Sequence, residues 1–389
     1  MQPHPEFFPI KKTGAFFSHC AIAPLSRPAF DAMQEFNRLH MTTGHLAWQD
    51  QYDAALSEFK VLGGRLLETP ARNISFVRNT SEGINMIANG YPFEPGDEIL
   101  SFAHEYPANH YPWRLQEKRG AKLVLIPNSD PSNTLEEGRV SGFSMEDVER
   151  LSTRRTKIIA VSHVHFATGF AIDLRKLGEF CKSHGIDLVV DAAQSFGALR
   201  VSPEECGAAA IIGSGWKWLL GPIGGGLMFT SEKLRAKLVP TMGGAELMHQ
   251  GKDYLDHSWQ PHQSGKMFEY STSPISVVKG FNASLESIFL EYGIDRISAE
   301  ILRLNDLFYD LIDKSKWHVV RYPEENRSGL LSLTRDVALD AIVQRALEGA
   351  KVMVTSRGGS GLGEFLRFAP HFYNDDAEVR LAAETLNSS

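Results

Sequence analysis

A lysine and an aspartate stand just after two apolar segments in the middle of the chain. Lys217 follows the apolar run 208–212 and precedes a glycine-rich turn at 224–226, and Asp191 ends the apolar run 186–190. A lone lysine is more often solvated, but burial lowers the pKa of a lysine and frees its amine for Schiff-base chemistry. A carboxylate can pair with the ring nitrogen of a pyridine. Together the two residues predict an enzyme that uses pyridoxal 5′-phosphate.

The segments around these residues alternate between short apolar runs and amphipathic stretches. The predicted strands are 74–77, 98–102, 122–126, 158–162, 188–191, 210–213 and 226–229. The predicted helices between them are 81–88, 107–118, 145–152 and 174–184. This alternation predicts an α/β fold with a mostly parallel central sheet, in which ligands bind at the carboxyl ends of the strands. Asp191 and Lys217 both lie at or just beyond such ends.

The pattern changes after Pro240. Residues 241–274 are rich in Gly, His, Ser and Gln, and we interpret them as a long functional loop. A helical stretch over 277–315, broken near Gly293, is followed by short strands and helices. The predicted strands are 317–320, 330–333, 352–355 and 365–368, and the predicted helices are 338–347 and 375–386. The sequence therefore predicts a large cofactor-binding domain (26–275) and a smaller α+β domain (1–25 and 276–389).

Several polar residues near the predicted strand ends could hold a cofactor. Thr80 and Ser81 follow a strand and open a helix, where hydroxyls and backbone N–H groups bind anions such as phosphate, although an ordinary helix cap is the alternative. Ser214 supplies another hydroxyl. Tyr106 could lie flat on the pyridine ring, or be an ordinary core or surface tyrosine. Gln194 could donate its amide to the phenolic oxygen of the cofactor.

Two arginines near the end of the sequence are candidates for binding a substrate carboxylate. Arg367 lies inside an apolar predicted strand, where an arginine needs a partner. That partner is either a substrate carboxylate or a structural ion pair. Arg357 begins a glycine-rich stretch, which we predict to be a flexible loop, and is the second candidate. The stretch lacks the fingerprints of nucleotide-binding loops, so we predict no nucleotide role for it.

The composition limits the partners and the compartment. A net charge of −7 and a pI near 6.1 argue against nucleic acid or an anionic membrane as the main partner. The three cysteines are widely spaced, without the pairing typical of metal sites, so we predict no metal and a reducing, cytoplasmic environment. The first residues do not resemble a signal peptide, and no apolar run approaches the roughly 20 residues of a transmembrane helix.

The order of these motifs resembles class V aminotransferases, the fold-type-I group that includes cysteine desulfurases, kynureninases and isopenicillin N epimerase-like proteins. The most specific matches are Asp191-Ala192-Ala193-Gln194 and Ser214-Gly215-Trp216-Lys217. The resemblance implies that Lys217 forms the Schiff base and that Asp191 pairs with the ring nitrogen. It implies in turn that Gln194 bonds the phenolic oxygen and Tyr106 stacks on the ring. The other implied contacts are phosphate binding by Thr80, Ser81 and Ser214, and binding of the substrate carboxylate by Arg367.

The same resemblance implies a homodimer with active sites at the interface. A hydroxyl of Thr272 or Ser273 would then reach the phosphate bound by the neighbouring subunit. His165 is expected near the cofactor. Trp216 stands among the cofactor-binding residues at a position where many relatives have a phosphate-binding histidine.

Two departures from the family pattern bear on the reaction. Cysteine desulfurases carry a reactive cysteine on the loop before the carboxylate-binding arginine, but no cysteine follows Cys206 here. They also stack a histidine where this chain has Tyr106. These departures argue against a desulfurase, and we predict an aminotransferase that acts on an amino acid through a Schiff base with Lys217. The alternatives are a lyase (kynureninase-like, or acting on cysteine or selenocysteine), an amino-acid epimerase, or a protein that binds the cofactor without catalysis.

Overall fold

The computed structural model describes residues 3–129, 142–250, 253–359 and 363–389. The strands of the described residues are β1 Ala15–Phe16, β2 Ile74–Val77, β3 Glu98–Phe102, β4 Lys122–Ile126, β5 Thr156–Ser162, β6 Asp187–Asp191, β7 Ala210–Ser214, β8 Gly226–Thr230, β9 His318–Val320, β10 Leu331–Thr334, β11 Val352–Met353, β12 Thr355–Gly359 and β13 Gly363–Phe368. The α-helices are α1 Arg27–Thr43, α2 His45–Leu66, α3 Thr80–Gly90, α4 Tyr111–Arg114, α5 Met145–Leu151, α6 Leu174–His184, α7 Pro203–Cys206, α8 Glu232–Arg235, α9 Ile275–Ser284, α10 Ile294–Leu311, α11 Leu339–Ala350 and α12 Asp376–Asn387.

A seven-stranded sheet forms the centre of the fold, in the order β2-β8-β7-β6-β5-β3-β4. β7, β6, β5, β3 and β4 run parallel, while β8 runs antiparallel to both of its neighbours. All seven predicted strands coincide with observed ones to within two residues at either end. Most of their residues are buried, as in parallel sheets that are covered by helices on both faces. The prediction of a mostly parallel sheet is confirmed.

The predicted helix 107–118 is wrong as a single element. The chain there forms a 3₁₀ turn at Pro107–Asn109, the short α4 and a second 3₁₀ turn at Leu115–Arg119. Proline has no backbone N–H and clashes with the preceding turn, so Pro112 cannot lie inside a helix that begins at Pro107. Helix α1, which the sequence analysis did not assign, packs mainly against α9.

A second, antiparallel sheet has the strand order β12-β13-β10-β9, and β1 pairs separately with β11. The predicted strand 352–355 is therefore two strands, because β11 pairs with β1 whereas β12 pairs with β13. Arg357, predicted on a flexible loop, lies instead within β12. Helices α11 and α12 pack on this part of the chain around a separate apolar core that includes Leu366 and Phe368. The domain boundaries themselves stay a prediction.

The segment 241–274 has little regular structure. Two short 3₁₀ turns, Ala245–Leu247 and Gly265–Phe268, interrupt it. The helical stretch that follows consists of α9, a π-helical turn at Leu285–Leu290 and α10, with Gly293 at the break as predicted. Within the described parts of the chain, no helix combines the length and apolar character that crossing a membrane requires.

Candidate active site

A cavity of about 780 Å³ opens between the carboxyl ends of the large sheet and the antiparallel sheet. The N-terminal segment contributes Phe16, Ser18 and Cys20 to its lining. Ten of the residues predicted from the sequence line this single cavity: Thr80, Ser81, Tyr106, Asp191, Gln194, Ser214, Trp216, Lys217, Arg357 and Arg367. The structure thus brings together residues that are almost 300 positions apart in the sequence.

Lys217 lies in a tight turn between β7 and β8. The backbone N–H of Leu220 donates to the Lys217 carbonyl at 3.1 Å, and that of Gly221 donates to the Gly215 carbonyl at 2.9 Å. Leu220 adopts a left-handed backbone conformation (φ 53°), which is uncommon for a non-glycine residue and costs on the order of 1 kcal/mol. A Cβ on Gly215 would lie 2.5 Å from the Phe281 ring, so only glycine allows this turn to pack against α9. The sheet and α9 therefore fix the position of the lysine.

The electrostatic surroundings of Lys217 favour a neutral amine. Burial lowers the pKa of Lys217, and the guanidinium groups of Arg367 and Arg357 lower it further, while Asp191 opposes the change. A lysine with a lowered pKa holds a larger fraction of its amine unprotonated at neutral pH. Such an amine can act as a nucleophile or as a base.

Asp191 ends β6 on the same side of the sheet and is almost fully buried. Burial raises the pKa of its carboxyl group, whereas the backbone N–H of Ala193 and the charge of Lys217 act in the opposite direction. The Ala193 N–H donates to Oδ1 at 2.8 Å. A cation placed against this buried carboxylate would stabilise its ionised form.

The amide of Gln194 is held in one orientation by two groups. Its Nε2 donates to the carbonyl of Cys20 at 2.9 Å, and its Oε1 accepts from the indole Nε1 of Trp218 at 2.9 Å. Trp218 is itself fully buried, and its carbonyl accepts from Nε2 of His371 at 2.9 Å. An amide has two N–H groups, so one of them remains for a ligand in the cavity.

Two hydroxyls meet at the start of α3. Thr80 Oγ1 and Ser214 Oγ are 2.8 Å apart, and the Thr80 backbone N–H also donates to Ser214 Oγ at 3.3 Å. Asn79 caps the helix by accepting from the Glu82 N–H at 2.9 Å. Ser81 lies on the first turn beside them and also lines the cavity. Hydroxyls and N–H groups at the beginning of a helix form a site suited to phosphate.

Tyr106 faces Lys217 across the cavity. The Lys217 Nζ lies 5.7 Å from the centre of the Tyr106 ring, which also makes an edge-to-face contact with Phe166 at 5.3 Å. The neighbouring Glu105 accepts hydrogen bonds from the backbone N–H and the hydroxyl of Ser162, at 2.6 and 2.5 Å. These bonds tie the ends of β3 and β5 together and so position the tyrosine. Burial raises the pKa of Glu105 to about 8.

Arg367 is only 2% exposed, yet no acidic side chain contacts it among the described residues. Its Nη1 donates to the carbonyl of Phe166 at 2.9 Å and its Nη2 to the hydroxyl of Thr355 at 3.0 Å. Its Nε has no hydrogen-bond partner in the part of the chain that the structure describes. A buried guanidinium without a counter-charge is unfavourable unless an anion binds beside it. This arrangement therefore favours a ligand carboxylate over the structural ion pair.

The structure does not bring the remaining predicted residues into the cavity. His165 is buried and lies between the Thr168 hydroxyl, 3.0 Å from Nδ1, and the His104 carbonyl, 2.9 Å from Nε2. The neighbouring Phe166 lines the cavity in its place. Thr272 and Ser273 border a separate depression with Arg78, and the Ser273 N–H donates to the Tyr52 hydroxyl at 3.1 Å.

Several residues that shape the site were missed in the sequence analysis. Cys20 and Ser18 enter the cavity from an N-terminal segment in which the sequence analysis found no chemistry-bearing pattern. Thr355 supports Arg367 through a strand register that the sequence does not display. Trp218 follows Lys217 directly and donates its indole N–H to Gln194. The polar N–H on this otherwise apolar side chain was the only sign in the sequence that Trp218 could orient the amide.

Comparisons with known proteins agree on one family. The model of the family described as aminotransferase class-V matches residues 16–381. A protein from Methanothermobacter thermautotrophicus named probable cysteine desulfurase is 25% identical over 394 residues, which cover 97% of this chain and 95% of the relative. A probable cysteine desulfurase from Pyrococcus abyssi is 26% identical, covering 90% of this chain and 85% of the relative.

Solved structures share the whole architecture. The cysteine desulfurase CsdA from Escherichia coli superimposes with a TM-score of 0.84 at 23% identity, covering 99% of this chain and 96% of CsdA. The cystine C–S lyase C-DES, solved with its product cysteine persulfide, gives a TM-score of 0.87 at 20% identity, covering 98% of this chain and 99% of C-DES. These likenesses confirm the predicted fold class, fold type I, with a mostly parallel central sheet and a smaller α+β part.

Proposed function

Because the chain belongs to the aminotransferase class-V family, we propose that it is a lyase that breaks a carbon–sulfur bond in an amino acid related to cysteine. Full-length relatives that carry the name cysteine desulfurase support the lyase alternative over transamination, our main prediction from the sequence. The observation that carries the proposal is the meeting of Lys217, Asp191 and Arg367 in one cavity. These three groups suit the amine, ring and carboxylate contacts that such a reaction needs.

The cofactor of this family is pyridoxal 5′-phosphate, and the groups in the cavity fit it. The fit rests on a partly buried lysine with a lowered pKa, a buried carboxylate and an oriented amide. Paired hydroxyls at the start of α3 provide a cradle for a phosphate. In our proposal Thr80, Ser81 and Ser214 bind the phosphate, Asp191 pairs with the ring nitrogen, and Gln194 donates to the phenolic oxygen.

When bound, the cofactor withdraws electrons from the carbon that carries the substrate amine. Lys217 would hold the cofactor through its amine and would also serve as the base that accepts the proton of the substrate α-carbon. Because its pKa is lowered, a larger fraction of the Lys217 amine is unprotonated, which favours both tasks. Tyr106, whose ring centre lies 5.7 Å from the Lys217 Nζ, would stack on the cofactor ring. Arg367 holds the substrate carboxylate and so fixes which bond of the α-carbon faces the lysine.

The overall reaction breaks the bond between the β-carbon and sulfur. The α-proton is removed, the sulfur leaves with its bonding electron pair and is protonated as a thiol, and water then releases pyruvate and ammonium from the remaining fragment. No external oxidant or reductant is required. The reaction needs no enzyme thiol, which agrees with the absence of any cysteine after Cys206.

A second candidate is favoured by the position of Cys20. It is the one cysteine in the lining of the cavity, and it is buried with its carbonyl bound to Gln194. If its thiol took the sulfur of cysteine, the products would be alanine and a persulfide on Cys20. This exchange is also balanced without an external oxidant.

Product analysis decides between these reactions. Purified enzyme with bound cofactor is incubated with L-cysteine, and sulfide, pyruvate, ammonium and alanine are measured. The proposal predicts sulfide, pyruvate and ammonium in equal amounts, and no products from Lys217→Ala. Alanine that disappears in Cys20→Ser would establish the second candidate. A keto acid from the intact amino acid, with the cofactor converted to its amine form, would instead establish an aminotransferase.

Two finer aspects belong to the same proposal. We expect a homodimer in which Thr272 or Ser273, which lie outside the cavity of their own chain, reach the phosphate of the neighbouring subunit. The three cysteines are free and buried, which supports a reducing compartment such as the cytoplasm.

A further inference from the structure

The antiparallel sheet presents two guanidinium groups to the cavity on one face. The strand register pairs Thr355 with Arg367 and Arg357 with Phe365. Because side chains alternate between the faces of a sheet and paired residues share a face, Arg357 and Arg367 project to the same side. They are diagonal neighbours on paired strands, and the Cα atoms of such neighbours lie about 7–8 Å apart. Both line the cavity.

The two arginines differ in depth. Arg367 is buried beneath the N-terminal segment and held by Phe166 and Thr355. Arg357 is exposed at the edge of the cavity, and within the described residues its side chain makes one hydrogen bond, from Nη1 to the carbonyl of Ser356 at 3.0 Å. Among the described residues no acidic side chain pairs with Arg357. Both guanidinium groups therefore lack a counter-charge among the residues that the structure describes.

The lining of the cavity is otherwise poor in negative charge. Asp191 is its only acidic residue among the described positions, and it lies on the opposite side beside Lys217. The proposed function assigns Asp191 to the cofactor, and assigns the cofactor phosphate to the start of α3. Neither the Asp191 carboxylate nor the cofactor phosphate is then available to pair with the arginines. One α-carboxylate can neutralise the deeper guanidinium, which leaves the outer one facing the rest of the substrate.

We propose that Arg357 binds a second anionic group of the substrate, so that the site takes β-sulfur amino acids whose sulfur substituent ends in an anion. This inference rests on the proposed function. The α-carboxylate binds Arg367, the carbon–sulfur bond lies over the cofactor, and the leaving group extends toward Arg357. Cysteine derivatives with a terminal carboxylate, including the distal half of a disulfide-linked cysteine, share this chemistry.

The test uses two substrates that differ by one charge. S-carboxymethyl-L-cysteine carries a carboxylate on its sulfur substituent, whereas S-ethyl-L-cysteine has a neutral substituent of similar size, and both release pyruvate on cleavage. The cofactor-loaded enzyme is expected to prefer the carboxymethyl substrate by about 10- to 100-fold in kcat/KM, mainly through KM, as is typical of a charge-assisted hydrogen bond.

Variants separate this contact from a general effect on the site. Arg357→Gln is expected to reduce the preference about ten-fold or more, Arg357→Lys to retain part of it, and Arg345→Gln, an exposed arginine on α11, to retain all of it. Since Arg357 also influences Lys217, the ratio of the two substrates is the informative quantity. A wild-type ratio near one, or equal losses for both substrates in Arg357→Gln, would overturn the inference.

A binding measurement keeps this result independent of the reaction. Succinate and butyrate, with two and one carboxylates on a four-carbon chain, are titrated against the cofactor absorbance of the wild type and Arg357→Gln. Tighter binding of succinate that depends on Arg357 supports the inference even if neither cysteine derivative is cleaved. In that event the lyase proposal alone fails. Equal affinities for the two acids would contradict the inference whatever the reaction is.

Discussion

The two sides of the cavity differ in how their polar and charged side chains are satisfied within the protein. The cofactor wall, formed by Thr80, Asp191, Gln194, Ser214 and Lys217, includes four polar side chains that already bond to one another or to the backbone. The substrate wall, formed by Thr355, Arg357 and Arg367 on the antiparallel sheet, presents positive charge that no acidic group balances among the described residues. The hydrogen-bonded side chains of the cofactor wall have their partners within the protein, whereas the charge of the substrate wall requires a bound anion.

This difference indicates how the work of the site is divided. Groups that are oriented in advance do not have to reorganise when a ligand binds, which suits a cofactor that stays in place. Unbalanced charge lowers the stability of the protein but gives binding energy to any ligand that neutralises it. Substitutions in the cofactor wall should therefore affect the bound cofactor, whereas substitutions in the substrate wall should affect substrate binding.

The largest effect is expected on the cofactor wall, from Lys217→Ala. Loss of the amine removes both the covalent anchor and the base, so turnover should fall by at least about 10²–10⁴-fold. Borohydride reduction should fix the cofactor to the wild type but not to the variant, as measured by absorbance after denaturation. Lys182→Ala, an exposed lysine on α6, is the control. Equal fixation in both proteins would mean that another amine carries the cofactor.

On the substrate wall, Arg367→Gln should separate binding from stability. We expect KM to rise by about 10²-fold or more, because the substitution removes the buried guanidinium that binds the substrate carboxylate. The absorbance of the bound cofactor should be retained. Thermal unfolding should occur at the same or a higher temperature, since an unbalanced buried charge is removed. A clear drop in Tm would show that Arg367 stabilises the fold and does not carry an unbalanced charge. The difference in charge balance between the two walls would then be refuted.

A smaller effect is expected from Trp218→Phe, which tests the orientation of the cofactor wall. Without the indole N–H, the Gln194 amide can rotate, so the bond that we propose between this amide and the phenolic oxygen should weaken. The pH at which the absorbance of the lysine-bound cofactor changes should shift by about 0.4–1 unit, equivalent to one hydrogen bond. Trp317→Phe removes another buried indole donor, bonded to the Leu386 carbonyl at 3.2 Å and remote from the cavity. An equal shift in both variants would contradict the assigned role.

The smallest effect concerns Glu105, behind the cofactor wall. Burial raises the pKa of Glu105 to about 8 in the folded protein, above the ordinary value of 4.5. Its contribution to stability is thus fully present below pH 4.5 and is lost as the pH rises toward about 8. Relative to Glu105→Gln, which does not titrate, the wild type should lose about 2–4 °C in Tm between pH 5 and 8. Glu149→Gln, on the exposed face of α5, should track the wild type, and parallel profiles for all three proteins would count against a raised pKa.

Much of the cofactor wall could be predicted from the sequence because local rules determine it. Apolar runs bounded by polar residues mark the strands of a parallel sheet, and the carboxyl ends of such strands meet at one edge. Asp191 and Lys217 therefore had to lie near each other once β6 and β7 were recognised as neighbours. The helix break caused by Pro112 also follows from a local rule, although the helix pattern had concealed it.

The tertiary structure decided what no local pattern contains. The orientation of Gln194 depends on Cys20, 174 residues away, and on Trp218. Arg367 could equally have formed an ion pair until its surroundings showed only a carbonyl and a hydroxyl. The common face of Arg357 and Arg367 follows from the register of β12 and β13, which a shift of one residue would abolish. The sequence by itself thus determined the fold class and the cofactor, whereas contacts between distant residues determined which charges lack a counter-charge among the described residues.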